Sequence, residues 1–307
     1  MSHPAALSRM DGILLIDKPA GPTSHDVVAR VRRASGERRI GHTGTLDPRA
    51  TGLLPLVVGR ATRLASLLTG REKAYEATVR FGWCTDTDDA DGQVVGPATD
   101  ARPAAPDLAD ALQAFRGTFD QTPPRHSAKK LQGRRAYALA RQDRPVDVQP
   151  VTVTVSRVEV LGRTADTATL AVTASSGFYV RALARDLGLA LGCGGHLEAL
   201  RRLRSGTFHV DDALGLDEAE RLGPAVAARL IPPARALDDL ASVELTDSGL
   251  KRVVHGNPIG PEHLAGRWVP PPSGAAPVRL LAADGRLVAL ARSRGGALHP
   301  AVVLGYD

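Results

Sequence analysis

Four apolar residues in succession, Ile13 to Ile16, lie between Gly12 and Asp17-Lys18-Pro19 and predict a short buried strand. Ser24 then reads as the cap of a helix from His25 to about Ser35, with Val27, Val28 and Val31 on its inner face. A second apolar run, Leu53 to Val58, predicts another buried element, followed by a short helix over Thr62 to Leu68. From Tyr75 to Phe81 apolar and polar residues alternate with the period of a half-buried strand. The alternation returns, richer in Thr and Val, over Val151 to Leu161 and Ala168 to Ala174, and predicts a strand pair. Leu108 to Phe115 has helical spacing, as does Tyr179 to Leu191, where Arg181 and Arg185 stand one turn apart. Residues 1–9 read as a loose tail, 97–106 as an exposed connection and Gly192 to Gly195 as a turn.

Pro232-Pro233 marks a change of pattern. Beyond it, Val243 to Asp307 is rich in Gly and Pro and holds brief strands such as Val278 to Leu281 and Leu287 to Ala291. That pattern predicts a small β-barrel, so the chain divides into residues 1–235 and 236–307. At 307 residues it can bury a sizeable core, and 43% apolar with 23% charged residues is the composition of a soluble globular protein. No apolar run is long enough to cross a membrane and no secretory pattern opens the chain, so a cytoplasmic protein is expected. Two distant cysteines, Cys84 and Cys193, exclude a disulfide framework and a cysteine zinc site. A formal charge of +6 fits a polyanionic partner. The basic residues concentrate over 121–145, with Lys129, Lys130, Arg134 and Arg135 at the centre, Arg125, Arg141 and Arg144 around them, and Tyr137 among the charges. Such a run is either a solvated helical face or an arm that grips phosphates.

The most informative segment is Arg39 to Gly52, which sets one carboxylate, Asp47, among glycines, threonines and His42. Pro48 holds Asp47 out of the α region, so its side chain projects from a defined position. By spacing alone, the favoured reading of Asp47 before Pro48 is the N-cap of a helix whose first residue is Pro48. Asp86, Asp88, Asp89 and Asp91 suggest a calcium loop, but the glycine position of that template is Asp91 and its bidentate glutamate position is Pro97. The cluster therefore reads as a solvated turn. Walker A, Rossmann and metal-ligand spacings do not occur.

The Asp47 segment closely resembles the catalytic loop of the TruB-type tRNA pseudouridine synthases, and further blocks follow in that family's order. Gly12 to Ser24 resembles its opening strand and turn. Lys73-Ala74-Tyr75 with Gly82 to Asp88, Ser175 to Arg181, and Leu200-Arg201-Arg202 with Ser205-Gly206 are similar to its later motifs. The blocks span roughly residues 10–210 of this sequence.

The resemblance implies an α+β pseudouridine synthase fold, with a mixed, largely antiparallel sheet flanked by helices and a PUA-like C-terminal barrel. It implies an isomerase that flips uridine 55 out of the tRNA T-loop, with Asp47 as nucleophile. Arg181 would pair with Asp47, Tyr75 would stack on the uracil, and Tyr179 would lie where the C5 proton leaves. Leu200 would floor the pocket, and His42 would fill the space left by the flipped base. Lys129, Lys130, Arg134 and Arg135 would belong to an RNA-clasping insertion, in which His126 replaces the family's usual aromatic ring. The reaction has no net redox change, so no cofactor or metal is expected, and the protein would act as a monomer without guide RNA. A guide-RNA-dependent synthase subunit and a tRNA-folding chaperone are the alternatives.

Overall fold

The computed structural model describes residues 10–124, 130–131, 134–135, 149–266 and 276–306. The tail at 1–9, and within the basic segment Lys129 and the stretch around Tyr137, lie outside the described residues. The apolar run near the N-terminus forms strand β1 (Gly12–Lys18). Helix α1 (Ser24–Ser35) follows, with Val27, Val28 and Val31 buried as the spacing predicts. Its cap is Thr23, not Ser24. The Thr23 hydroxyl accepts from the Asp26 N–H at 3.1 Å, while the Asp26 carboxylate accepts from the Thr23 N–H at 2.9 Å. Ser24 is turned inward, its hydroxyl donating to the Leu46 carbonyl at 3.1 Å and accepting from the Leu46 N–H at 2.9 Å. Both residue types cap helices, and only this distant partner decides between them.

The sheet continues with β2 (Ile40–His42), β3 (Thr51–Val58) and β4 (Lys73–Phe81). Between β3 and β4 the predicted short helix is a 3₁₀ turn, Gly59–Leu64, running into one α-turn, Ala65–Thr69. Helix α2 (Ala105–Gln113) precedes β5 (Gly117–Gln121), and β6 (Val151–Arg163) pairs antiparallel with β7 (Thr167–Ala174) as predicted. Helix α3 (Val180–Ala190), β8 (Gly195–Ser205), β9 (Phe208–His209), β10 (Leu214–Gly215) and helix α4 (Leu216–Leu222) complete this unit. The strand order is β10–β1–β3–β8–β4–β7–β6–β5, with β2 on β3 and β9 on β8. Only β1 with β10 and β3 with β8 run parallel. The result is a mixed, largely antiparallel sheet.

One core lies between β4, β6 and β7 and the helices α2 and α3, around Phe81, Leu170, Leu183 and Leu187. Another joins Leu14, Ile16, Leu54 and Leu56 to α1 and Leu216. The opposite faces of β1 and β3 present Ile13, Leu15, Leu53 and Val57 to Leu287, Leu290 and Leu304 of the C-terminal region. Because both faces are covered, these two strands read as unbroken apolar runs instead of alternating.

The C-terminal strands are β11 (Ser242–Leu245), β12 (Leu264–Ala265), β13 (Val278–Leu281), β14 (Leu287–Arg294) and β15 (Ala297–Val303), with helix α5 (Asp247–Val254) after β11. The closed barrel predicted here is corrected among the described residues to an open five-stranded sheet, ordered β12–β11–β13–β14–β15. The edge strands β12 and β15 do not pair, and a single bridge, Ile259 with Leu298, links the connection after α5 to β15. No helix among the described residues is long and apolar enough to cross a membrane.

Candidate active site

Asp47 lies in the loop between β2 and β3. No helix follows Pro48, so the N-cap alternative does not apply. The loop is held from below at several main-chain points. Lys18 Nζ donates to the Pro48 carbonyl at 2.9 Å and to the Pro19 carbonyl at 2.8 Å. Arg202 donates from Nη2 to the Gly44 carbonyl at 3.1 Å and from Nε to the Leu53 carbonyl at 2.7 Å. Gly52, at φ +96°, passes so close to Arg202 that a Cβ there would meet the Arg202 carbonyl oxygen at 2.3 Å. Only glycine permits both that conformation and that approach.

The Asp47 carboxylate opens onto a cavity of about 270 Å³ whose wall includes Tyr75, Tyr179, Arg181, Leu200, Lys73 and Arg202. Five of the sequence-predicted site residues thus share one recess: Asp47, Tyr75, Tyr179, Arg181 and Leu200. His42 does not line it; it ends β2, opposite Leu56, where the loop begins. In the basic segment Lys130–Leu131 pairs antiparallel with Arg134–Arg135, while Lys129 lies outside the described residues. Larger recesses of about 380 and 430 Å³ exist elsewhere. Neither contains Asp47 or a tyrosine, so the chemistry favours the smaller one.

Arg181 grips Asp47 at two points, Nε to Oδ2 at 3.0 Å and Nη2 to Oδ1 at 3.4 Å. Its own side chain is buried, and Nη1 is held by the Thr87 carbonyl at 3.0 Å and by Asp89 at 3.5 Å. One turn on, Arg185 pairs with Asp88 at 2.8 Å. The acidic turn is therefore not simply solvated. Asp88 is buried and Asp89 partly so, because the turn folds back to hydrogen-bond Leu197 and faces both arginines of α3.

Two opposing effects set the state of Asp47. Burial raises its pKa above the usual carboxylate value, the Arg181 guanidinium opposes this, and Asp89 adds to the rise while Lys18 counters it. The cation beneath is also strained electrostatically: burial pulls Lys18 down to about 8, against the attraction of Asp47. Lys73, bonded to the Thr69 and Arg71 carbonyls at 2.6 Å each, is likewise lowered to about 8 by burial and by Arg202. The Tyr75 hydroxyl is pushed up by burial, an effect that the positive charge of Arg202 partly offsets.

Lys18, Lys73 and Arg202 are the site residues that sequence reasoning left without a role. Each falls inside a quoted motif, but lysine and arginine are almost always exposed, so nothing in the sequence marks these as buried. Among the described residues no three His, Cys, Asp or Glu side chains gather so that they could hold a metal ion.

A loop carboxylate clamped by a buried arginine thus lies beside two tyrosines in one recess on this mixed sheet. The family profile described as TruB family pseudouridylate synthase (N terminal domain) matches residues 32–180, and that of the tRNA pseudouridylate synthase B C-terminal domain matches residues 181–224. Among similar proteins, tRNA pseudouridine synthase B of Thermobifida fusca (strain YX) is 46% identical over 304 residues, covering 95% of this chain and 98% of its own. The Solibacter usitatus (strain Ellin6076) protein of the same name is 46% identical over 246 residues, covering 77% of this chain and 84% of its own. The chain belongs to the TruB family of pseudouridylate synthases. In fold it also matches a chain of the archaeal box H/ACA sRNP Nop10–Cbf5 complex, with TM-score 0.72, 24% identity, and coverage of 99% of this chain and 89% of that one. A chain of an H/ACA RNP bound to a substrate RNA containing 2′-deoxyuridine matches with TM-score 0.73 and 24% identity, over 99% of this chain and 88% of that one. The fold is the pseudouridine synthase fold.

Proposed function

We propose that this protein isomerises uridine 55 to pseudouridine in the T-loop of tRNA, with Asp47 as nucleophile and without a cofactor. The observation that carries the reading is the two-point Arg181–Asp47 pair at the wall of a base-sized cavity. The bond from uracil N1 to ribose C1′ breaks, the base turns, and C5 joins C1′. C5 gives up a proton and N1 gains one, so atoms and electrons balance. Addition of the carboxylate to uracil C6 and its attack on ribose C1′ both require ionised Asp47. Arg181 favours that form against burial. Tyr75 stacks on the flipped uracil, Leu200 floors it, and Tyr179 faces the departing C5 proton. His42 enters the gap left in the RNA stack. Lys129, Lys130, Arg134 and Arg135 grip backbone phosphates.

In this reading residues 1–235 form the catalytic domain and 236–307 a PUA-like RNA-binding domain. In the same reading the protein works in the cytoplasm as a monomer. The names of the relatives support tRNA as substrate. Dependence on a guide RNA has less support: those relatives share 46% identity with this chain, whereas the chains from H/ACA complexes share 24%. The test is pseudouridine mapping on tRNA transcripts incubated with the purified protein alone. Product is expected at position 55 of the tRNA, and none from Asp47→Asn, which should still bind tRNA. Turnover by the pure Asn variant would remove Asp47 from the chemistry.

A further inference from the structure

Gln121 is the last residue of β5, the edge strand from which the basic segment departs. It is only 2% exposed. A buried amide needs partners for both its donor and its acceptor, and here both partners are main-chain groups of one residue. The Tyr179 N–H donates to Gln121 Oε1 at 2.8 Å, and Gln121 Nε2 donates to the Tyr179 carbonyl at 3.1 Å. Tyr179 is the N-cap of α3, extended at φ −112° and ψ 111°, and its own side chain makes no capping hydrogen bond. The next residue of the basic segment is tied to the same helix, because Arg185 Nη2 donates to the Thr122 carbonyl at 2.9 Å. Arg185 is fixed in turn by Asp88 and Asp186, each at 2.8 Å.

We infer that Gln121 is a positioning residue, which sets the main chain at Tyr179 so that the Tyr179 ring and the Arg181 guanidinium meet Asp47 in register. The role rests on the reaction proposed above. Gln121 touches no reacting atom; it acts through Tyr179 and the first turn of α3. It also makes the geometry of the cavity depend on the root of the segment proposed to hold RNA. The Tyr179 carbonyl also accepts the first intrahelical bond, from the Leu183 N–H at 3.1 Å, and the two-point amide adds a hold on the Tyr179 N–H and carbonyl from outside the helix.

The test compares wild-type protein with Gln121→Met, which keeps the side chain's length but neither hydrogen bond. Single-turnover pseudouridine formation on a tRNA transcript at saturating enzyme is measured beside tRNA affinity and a thermal melt. The expected result is a rate lower by about 10- to 100-fold, the scale of a small misplacement of reacting groups. The tRNA dissociation constant should stay within about twofold, so that the loss lies in the step after binding. Thr118→Ala, on the same strand but exposed, should keep the wild-type rate. If the Met variant does not fold, Gln121→Glu serves instead, since it keeps the acceptor for the Tyr179 N–H and loses the bond to the carbonyl. A wild-type rate in a folded Gln121 variant would overturn the role, as would a loss confined to tRNA binding. An inactive wild-type protein would overturn the proposed reaction and this role with it.

Discussion

At the scale of single residues, the proposed function turns on the charge state of Asp47. Its side chain is 41% exposed, open to solvent on the cavity side and enclosed by protein elsewhere. Burial wins over Arg181, so the folded-state pKa is raised. A carboxylate with a raised folded pKa is ionised at a cost to folding, and that cost is present once the pH exceeds the folded value. Asp47→Asn should therefore melt no lower than the wild type at neutral pH while losing turnover. The same sign governs catalysis: the rate should fall as the pH drops through the raised pKa. Arg181→Met removes the main influence that lowers that pKa, so the acid limb of the single-turnover rate should move to higher pH. A limb that stays in place in Arg181→Met would show that another group sets it.

At the scale of elements, what was legible in the sequence depended on whether the deciding partner is near in the chain. Ile13 to Ile16 and Leu53 to Val58 read as buried strands because a run of apolar residues states its own burial, whatever covers it. The choice between Thr23 and Ser24 as cap was not legible, because Leu46 makes it. Asp88 and Asp89 read as solvated because their partners, Arg185 and Arg181, lie on a helix far along the chain. Asp47, Tyr75, Tyr179, Arg181 and Leu200 were picked out by ordered motifs, whereas burial of Lys18 and Arg202 appears only once β1, β3 and β8 are side by side. The basic segment 121–145 carries its own expectation. Changing Lys129, Lys130, Arg134 and Arg135 together to alanine should weaken tRNA affinity and flatten its salt dependence by somewhat under about one unit of slope for each lost phosphate contact. The rate within a saturated complex should be nearly kept. An unchanged slope with a lost rate would make the segment a scaffold for the site instead of an RNA grip.

At the scale of the whole molecule, the C-terminal sheet also serves as a wall of the main core. Leu287, Leu290 and Leu304 are nearly fully buried and pack in one cluster with Ile13, Leu15, Leu53 and Val57. Polar contacts run alongside, with Arg63 donating to the Val303 carbonyl and Arg71 paired with Asp239. Those apolar partners sit on β1 and β3, and the other faces of the same strands support α1 next to the Asp47 loop. A chain ending at residue 235 would therefore uncover apolar side chains, each worth about 1.5–3 kcal/mol when buried. Such a truncated chain should melt lower by about 10 °C or more, given the usual few degrees per kcal/mol for a unit of this size. The point variants Leu290→Ala and Leu304→Ala in the full chain should lower the melting temperature in the same direction without altering the salt dependence of tRNA affinity. That combination separates support of the core from RNA binding by the same region. If residues 1–235 melted at the full-length temperature, β1 and β3 would not need this cover, and the C-terminal sheet would contribute to RNA contact alone.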